Sequence, residues 1–287
     1  MTIKGPLIVG TMTWGKWGKN LSSGAMTSLI ESIFEMELNA FDHADIYGGY
    51  TTEQAFGKAF KNSGVPREKV KFISKCGIMY PTENNSFRVK HYDYGAHHIR
   101  DSVENSLRNL QTDYLDCLLL HRPSPLMDPI EISETLETLQ EEKKILHHGF
   151  SNFLPHQMAC FPFNKAIANQ VEFSLNHHSP IDNGTLNYHL KHHITSMAWT
   201  PLGSYFKIRD IKRHRIEKIL KPLTQKYHAT EAQLLLAWIH KLPHKIIPVV
   251  GSTKRHRVEK LIQASQIDLN IQDWFLMYEA NNGHPVA

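Results

Sequence analysis

The sequence has few cysteines, and they do not form a recognisable pattern. Only three occur in 287 residues, Cys76, Cys117 and Cys160, and they lie far apart. Small secreted domains carry an even number of cysteines in a disulfide framework, and zinc sites use CxxC pairs. The sequence therefore predicts reduced thiols and a cytoplasmic location.

Long apolar runs are absent as well. No stretch approaches the roughly 20 uninterrupted apolar residues of a membrane span. Near the N-terminus, the apolar run at residues 7–9 is too short for the core of a signal peptide. We therefore expect no membrane association. Nothing in the sequence resembles a coiled coil or a long apolar surface stripe, so we expect a monomer.

Histidine is abundant, with 19 residues, but it does not follow a metal-binding pattern. Several histidines stand in adjacent pairs, and adjacent side chains on a helix or strand point in different directions. There is no HExxH motif. The net charge is +4, and the basic clusters at 207–215 and 254–257 lack the interleaved aromatics of a nucleic-acid module. We expect neither a metal site nor a nucleic-acid partner.

The motifs of several common nucleotide-binding and hydrolase folds are missing too. The glycines of segment 10–18 have the wrong spacing for GxGxxG, and no GxxxxGK[ST] occurs. The GxSxG nucleophile elbow is also absent. These absences disfavour an open, doubly wound dinucleotide-binding sheet.

What the sequence does contain is a regular alternation of strand and helix patterns. Helical patterns begin near Ser22 and near Thr52 and cover 95–110 and 129–143, and a polar insertion occupies 77–93. Eight β-rich segments stand at 7–10, 39–44, 71–76, 114–121, 145–151, 166–172, 194–200 and 245–251. Such alternation implies a parallel sheet, and eight units in a chain of this length favour closure. We predict an α/β protein, a single (β/α)8 TIM barrel over residues 1–287.

Four polar residues stand at the ends of three successive strands, where a barrel places its chemistry. Asp42 and Tyr47 follow the second strand, Lys75 the third and His121 the fourth. A tyrosine beside a lysine that is paired with an aspartate is a suitable proton donor, since the ammonium stabilises the phenolate. Each residue has a structural alternative: Asp42 as a turn cap, Lys75 in an ordinary ion pair, His121 bound to loop carbonyls. Their occurrence at successive strand ends favours a catalytic site.

Seven segments of the chain form an ordered set of motifs: FDHADIYGGYTTEQAFGKAF (41–60), FISKC (72–76), DYLDCLLLHRP (113–123), GFSNF (149–153), NQVEFS (169–174), AWTPLGS (198–204) and VVGSTKRHRVEKL (249–261). In this order they resemble the aldo-keto reductase family, and in particular a branch of bacterial oxidoreductases with HADIYGGY. The resemblance implies reduction of a carbonyl by hydride transfer from NADPH. It implies a tetrad in which Tyr47 is the general acid, Lys75 and Asp42 support it, and His121 orients the carbonyl.

The resemblance also implies residues that bind the cofactor. Ser151, Asn152 and Gln170 match residues that bond the nicotinamide carboxamide, and Trp199 matches a ring stacked on the nicotinamide. The remaining cofactor residues are Thr11 and Met12 after the first strand, Thr200, Leu202 and Ser204 near the pyrophosphate, and Ser252, Lys254 and Arg257 near the 2′-phosphate. This last group favours NADP over NAD, although Gly251 replaces a family lysine and Lys260-Leu261 replaces a Glu/Asn pair.

Substrate specificity is the least determined property. Arg122 stands where many family members have a tryptophan, which suggests a mouth that accepts an acidic substrate. The aromatic residues Trp14, Trp17, Tyr80, Phe153 and Trp274 are candidates for the wall of an apolar pocket, with core packing as the alternative. Two other functions stay open: an NADPH-binding sensor with little turnover, and a phosphate-binding isomerase or lyase barrel.

Overall fold

The computed structural model describes residues 1–162 and 166–287. Its centre is a closed barrel of eight parallel strands, so the predicted fold class is confirmed. The strands are β1 Ile8–Gly10, β2 Ala40–Asp42, β3 Lys71–Cys76, β4 Cys117–Leu120, β5 His148–Ser151, β6 Ala168–Glu172, β7 Thr195–Trp199 and β8 Ile246–Val250. They neighbour one another in chain order. The barrel closes because β1 pairs with β2 on one side and with β8 on the other, with Val9 opposite both Phe41 and Val250.

Helices surround the barrel. The longer ones are α1 Ser23–Glu35, α2 Thr52–Ser63, α3 Ala96–Leu110, α4 Pro129–Glu141, α5 Thr185–Lys191, α6 Ile211–Lys226, α7 Glu231–His240, α8 Arg255–Gln263 and α9 Ile271–Asn282. Single turns of helix occupy Tyr47–Tyr50, Pro155–Met158 and Ser179–Asp182, and 3-10 turns occupy Arg67–Lys69 and Ala264–Gln266. Across the described ranges, no helix has the length and apolarity to cross a membrane.

Capping residues explain where several helices begin. The Ser22 hydroxyl accepts a hydrogen bond from the Ala25 N–H, as predicted for the start of α1. Asp128 accepts from two N–H groups at the start of α4, which has Pro129 at its first position. Thr230 and Gln233 form a reciprocal capping box at α7. Each cap satisfies N–H groups that have no partner within the helix.

The predicted insertion at 77–93 contains a short antiparallel pair of strands, Ile78–Met79 with His91–Tyr92. It begins at Gly77, whose φ of +103° favours glycine. A Cβ there would lie 2.1 Å from the Tyr94 ring, so the close approach also requires glycine. The insertion therefore has a fixed origin next to the end of β3.

Candidate active site

The pleat of the strands explains why polar side chains gather at one end of the barrel. Side chains alternate along a strand, so a residue two positions after an interior one faces the same interior. Five interior apolar residues are followed in this way: Ala40 by Asp42, Ile73 by Lys75, Leu119 by His121, Ala168 by Gln170 and Met197 by Trp199. The interior side chains nearest the C-terminal ends of the strands therefore form a polar and aromatic layer, and the layer next to it inside the barrel is apolar.

Lys75 is the centre of this layer. Its side chain is 1% exposed, and its Nζ donates to Asp42 Oδ1 at 2.7 Å and to the His43 carbonyl at 2.7 Å. The third partner is the Tyr47 hydroxyl, at 3.1 Å. All three N–H donors of the ammonium therefore have acceptors, as a buried charge requires. The sequence predicted Asp42 and Tyr47 as partners but gave no sign of the carbonyl.

Tyr47 reaches Lys75 because of the turn that follows β2. Gly48 and Gly49 have φ of +62° and +67°, a region that favours glycine. A Cβ on Gly48 would also lie 2.5 Å from the Thr52 hydroxyl at the start of α2. The turn thus packs against α2 and holds the tyrosine ring, which is buried, over the ammonium.

His121 completes the predicted tetrad. Its ring lies edge-on to the Tyr47 ring, with centroids 6.3 Å apart. Its Nδ1 is buried and has no hydrogen-bond partner among the described residues. The alternative in which His121 binds loop carbonyls through this nitrogen is therefore not what the structure shows.

Burial and neighbouring charges set the protonation of these groups. Burial raises the pKa of Tyr47, and the Lys75 charge opposes that rise without cancelling it. Burial, together with the charges of Lys75 and Arg122, holds the pKa of His121 well below its usual value. Burial lowers the pKa of Lys75, but Asp42 and Tyr47 outweigh it and the net pKa is raised. Near neutral pH the site holds a neutral phenol, a neutral imidazole and a charged ammonium.

Gln170 and Trp199 adjoin the tetrad. Gln170 Nε2 donates to Asp42 Oδ1 at 2.7 Å, so this amide N–H and Lys75 share one carboxylate oxygen. Trp199 Nε1 donates to Asn152 Oδ1 at 2.8 Å, and Asn152 Nδ2 donates to Ser151 Oγ at 2.8 Å. The chain from Ser151 to Trp199 fixes the indole ring at the mouth. Neither hydrogen-bonded link was predicted, because residue types at strand ends do not reveal which side chains pair.

The comparisons with known proteins agree with this geometry. A model of the aldo/keto reductase family matches residues 6–282. The chain belongs to the aldo/keto reductase family. It is 37% identical to the oxidoreductase YcsN of Bacillus subtilis, over 98% of this chain and 95% of that protein. It is 36% identical to the oxidoreductase YdhF of Escherichia coli, with 95% and 93% covered. It is 33% identical to a 6-dehydroglucose reductase of Agrobacterium fabrum, with 98% and 97% covered.

Solved structures give the same picture. An aldo/keto reductase from Klebsiella pneumoniae in complex with NADP and acetate superposes with a TM-score of 0.78 at 25% identity, covering 98% of this chain and 91% of that one. The thermostable aldo-keto reductase Tm1743 superposes with a TM-score of 0.79 at 24% identity, covering 96% and 94%, which shows the fold. Aldo-keto reductases are oxidoreductases that use NADP(H), so the predicted enzyme class and cofactor agree with these findings.

The residues predicted to bind the 2′-phosphate lie at the start of α8. Ser252 Oγ accepts from the Lys254 N–H at 3.3 Å, which shapes the turn before the helix. In the described part of the chain, the side chains of Lys254 and Arg257 have no carboxylate partner. Arg255, between them, is bound to Glu35 and Glu259. Two cations thus remain available beside the N–H groups of a helix N-terminus, which suits a phosphate.

The pyrophosphate candidates lie in the loop after β7. Thr200 has φ of +51°, and Gly203 has φ of +56°. A Cβ on Gly203 would meet Asn176 Oδ1 at 2.7 Å, and that oxygen is buried without a partner among the described residues. Leu202 and Ser204 in the same loop are half-buried. The backbone of this loop therefore lies close to the unpartnered Asn176 oxygen. Its contact with the pyrophosphate of a cofactor stays a prediction.

Three residues predicted after the first strand lie in different surroundings. Thr11 is fully buried and its hydroxyl bonds to the Asp42 carbonyl and to His43 Nδ1, whereas Met12, next to it, is exposed; their contact with a cofactor stays a prediction. Trp14 is 0% exposed and packs on Phe41 and Phe56.

Two further aromatic residues pack against other aromatic rings. Phe153 is 1% exposed and packs on Phe150 and Phe161. Trp274 stacks on Trp238 between helices. Trp14 and Phe153 are core residues, so the prediction that they wall a pocket is wrong, because large aromatics gain most by full burial. Trp274 is half-buried, and its part in a pocket stays a prediction.

Three predicted pocket residues do lie near the tetrad. The Trp17 ring is 6.3 Å from the Tyr47 ring and 5.1 Å from the Tyr80 ring. Arg122 follows His121 directly in the chain, and its guanidinium lies 5.4 Å from the centre of the Trp199 ring. The mouth therefore has an aromatic wall, formed by Trp17 and Tyr80, and a cation beside Trp199.

Proposed function

We propose that this chain is an NADP(H)-dependent aldo-keto reductase that reduces an aldehyde or ketone, with Tyr47 as the general acid. The observation that carries the proposal is the position of Lys75 Nζ, which bonds to Asp42 at 2.7 Å and to the Tyr47 hydroxyl at 3.1 Å. A buried ammonium beside a buried phenol has one evident chemical use, the stabilisation of the phenolate that remains after the proton leaves.

Bound NADPH supplies the hydride. Trp199, held by Asn152, is the candidate to stack on the nicotinamide, and Ser151, Asn152 and Gln170 are the candidates to bond its carboxamide. Ser252, Lys254 and Arg257 are the candidates for the 2′-phosphate, and they favour NADP over NAD. The unpaired state of the last two cations among the described residues supports that choice.

The proton reaches the substrate from Tyr47. The phenol is protonated at neutral pH, as tyrosine ordinarily is, and burial raises its pKa further. The His121 imidazole, neutral because burial lowers its pKa, is a suitable hydrogen-bond partner for the carbonyl oxygen. Lys75 then balances the phenolate charge until a proton returns from solvent. In the reverse direction the same phenolate accepts the proton of an alcohol.

The first test is a fluorescence titration of the purified protein with NADPH and with NADH, followed by NADPH oxidation with a panel of aldehydes. We expect quenching of Trp199 fluorescence at lower concentrations of NADPH than of NADH, and turnover with at least one aldehyde. Binding without turnover across the panel would instead favour the sensor. Failure to bind either nucleotide would overturn the proposal.

A further inference from the structure

Arg122 is a half-buried cation without a counter-charge. In the described residues its guanidinium makes no ion pair and no side-chain hydrogen bond; its one recorded side-chain contact is the Trp199 ring at 5.4 Å. Other partly buried arginines of this chain are used differently. Arg67 bonds to Asp116 at 2.8 Å, and Arg213 lies 3.3 Å from Glu217. The guanidinium of Arg122 therefore has donors free for a ligand.

The backbone of Arg122 is held in place from behind. The Tyr94 hydroxyl donates to the Arg122 carbonyl at 2.6 Å and accepts from the Arg122 N–H at 3.0 Å. Tyr94 is itself buried and packs against Gly77 at the base of the insertion. Such a double contact fixes the start of the side chain directly after His121. The structure thus fixes the backbone from which the side chain starts, and the guanidinium at its end lies beside the Trp199 ring.

The charges around this part of the mouth are positive. The charged groups that act on the His121 ring are Lys75, Arg122 and Lys90, and all three lower its pKa in addition to the effect of burial. Lys90 is exposed and lies in the insertion, directly before the short strand His91–Tyr92. Lys75 is paired with Asp42, so Arg122 and Lys90 are the charges left to attract a ligand that brings negative charge to this face.

We propose that Arg122 binds a carboxylate of the substrate, so that the preferred substrate is a small aldehyde or ketone with a carboxylate a few atoms from its carbonyl. The proposal rests on the proposed function. A guanidinium presents two parallel N–H donors that match the two oxygens of a carboxylate. The aromatic wall of Trp17 and Tyr80 would face the short carbon chain between the two groups. The arginine is a specificity residue, distinct from the groups that transfer the proton.

The kinetic test compares three aldehydes of similar size: succinic semialdehyde, which carries a carboxylate, butanal, which carries no polar group besides its carbonyl, and glyceraldehyde, which carries neutral hydroxyls. Arg122→Gln should raise the KM for succinic semialdehyde about 10- to 100-fold, the range expected for loss of charge-assisted hydrogen bonds. The kinetics with butanal should change little. Arg122→Lys, which keeps the charge but not the fork, should lie between. Arg108→Gln, on the outer face of α3, is the matched control.

A binding test does not depend on turnover. Succinate is titrated into the protein saturated with NADP⁺, and tryptophan fluorescence is followed. The wild type should bind succinate, and Arg122→Gln should bind it at least 10-fold more weakly. If the wild type oxidised NADPH with none of the aldehydes, the proposed function would fail, and this titration would still decide the role of Arg122.

Three results would overturn the assignment. An equal loss with glyceraldehyde would show that hydroxyls, and not a carboxylate, are bound. A parallel loss with all three aldehydes and a raised Kd for NADPH would show that Arg122 acts through Trp199. Unchanged kinetics and unchanged succinate binding in Arg122→Gln would show that it does not contact the substrate.

Discussion

Within single side chains, burial and one lysine determine what the site can do. Tyr47 and His121 are neutral because burial disfavours their charged forms. Lys75 stays charged in the same surroundings because Asp42 compensates it at 2.7 Å. A proton donor, a hydrogen-bond partner and a charge that stabilises the phenolate therefore result from one environment acting on three different groups.

Replacing Tyr47 by phenylalanine should separate chemistry from binding. Tyr47→Phe removes only the hydroxyl, so the ring packing against His121 and Trp17 remains. We expect NADPH affinity to change little and the reduction rate to fall by about 10²- to 10⁴-fold, the contribution typical of a positioned acid. Fluorescence titration and steady-state kinetics measure the two quantities. Tyr114→Phe, beside Arg67 and away from the site, is the control. Retention of most activity would remove Tyr47 from its assigned role.

Removing the lysine should affect stability as well as rate. Lys75→Met leaves the Asp42 carboxylate buried without its cation, which typically costs about 3–5 kcal/mol of unfolding free energy. Lys71→Met, on the same strand, is a matched control because Asp116 keeps Arg67 as a partner at 2.8 Å. Its effect should stay below about 1 kcal/mol. Urea denaturation measures both. Equal losses of unfolding free energy in the two variants would show that the Lys75–Asp42 pair contributes no more to stability than the Lys71–Asp116 pair.

The tetrad could be predicted from the sequence because the alternation of side chains along a strand, together with the position of the strand end, indicates which residues face the barrel interior. Asp42, Lys75 and His121 all follow interior positions by two residues. The wrong assignments, such as Trp14 and Phe153, concern aromatics outside that periodicity. Their residue type is compatible with a pocket wall and with a core, and only the packing of neighbouring helices decides between them.

At the scale of elements, the eight predicted strand segments each contain a strand of the barrel, but most strands are shorter. The segment 114–121 yields Cys117–Leu120, and 145–151 yields His148–Ser151. Residues 115 and 145 are joined only by an isolated bridge below these strands. An apolar run indicates that both faces of a strand are buried. The first and last residues of the strand depend on pairing with the neighbouring strands, and the sequence of one segment does not contain that information.

The contact between α2 and α3 gives a prediction at this scale. A Cβ on Gly57 would lie 2.1 Å from the Asn109 carbonyl oxygen, and that oxygen is backbone and cannot move aside. Gly57→Ala should therefore force the helices apart and lower stability by about 1–3 kcal/mol, as overpacking does. Gly24→Ala in α1 is the matched control, since nothing lies within 4 Å of its Cβ position. That variant should be neutral or up to about 1 kcal/mol more stable. Thermal unfolding that ranked the two variants the other way would contradict this helix contact.

On the scale of the whole molecule, the single closed barrel was predictable because the alternation of elements repeats along the entire chain. The monomeric state and the cytoplasmic location stay predictions of the sequence. Global stability, in contrast, depends on a group that the sequence did not single out. Glu53 of α2 is buried between helix and barrel, where the Ser74 hydroxyl donates to its Oε1 at 2.5 Å.

Burial raises the pKa of Glu53 to about 7 from a usual value of 4.5, against the opposing effects of Ser74, Ser106 and Lys75. The folded state therefore binds a proton that the unfolded state releases, and stability falls as pH rises from about 4.5 to about 7. By pH 8 the loss of unfolding free energy from this group should reach about 3 kcal/mol, since each pKa unit corresponds to about 1.4 kcal/mol.

Glu53→Gln keeps the acceptor for Ser74 and cannot ionise. Urea unfolding at pH 5 and pH 8 should show the variant gaining on the wild type as pH rises, while Glu68→Gln, an exposed control, should follow the wild type. Parallel curves for Glu53→Gln and the wild type would mean that Glu53 is already ionised in the folded protein at pH 5, and that Ser74, Ser106 and Lys75 together compensate its charge.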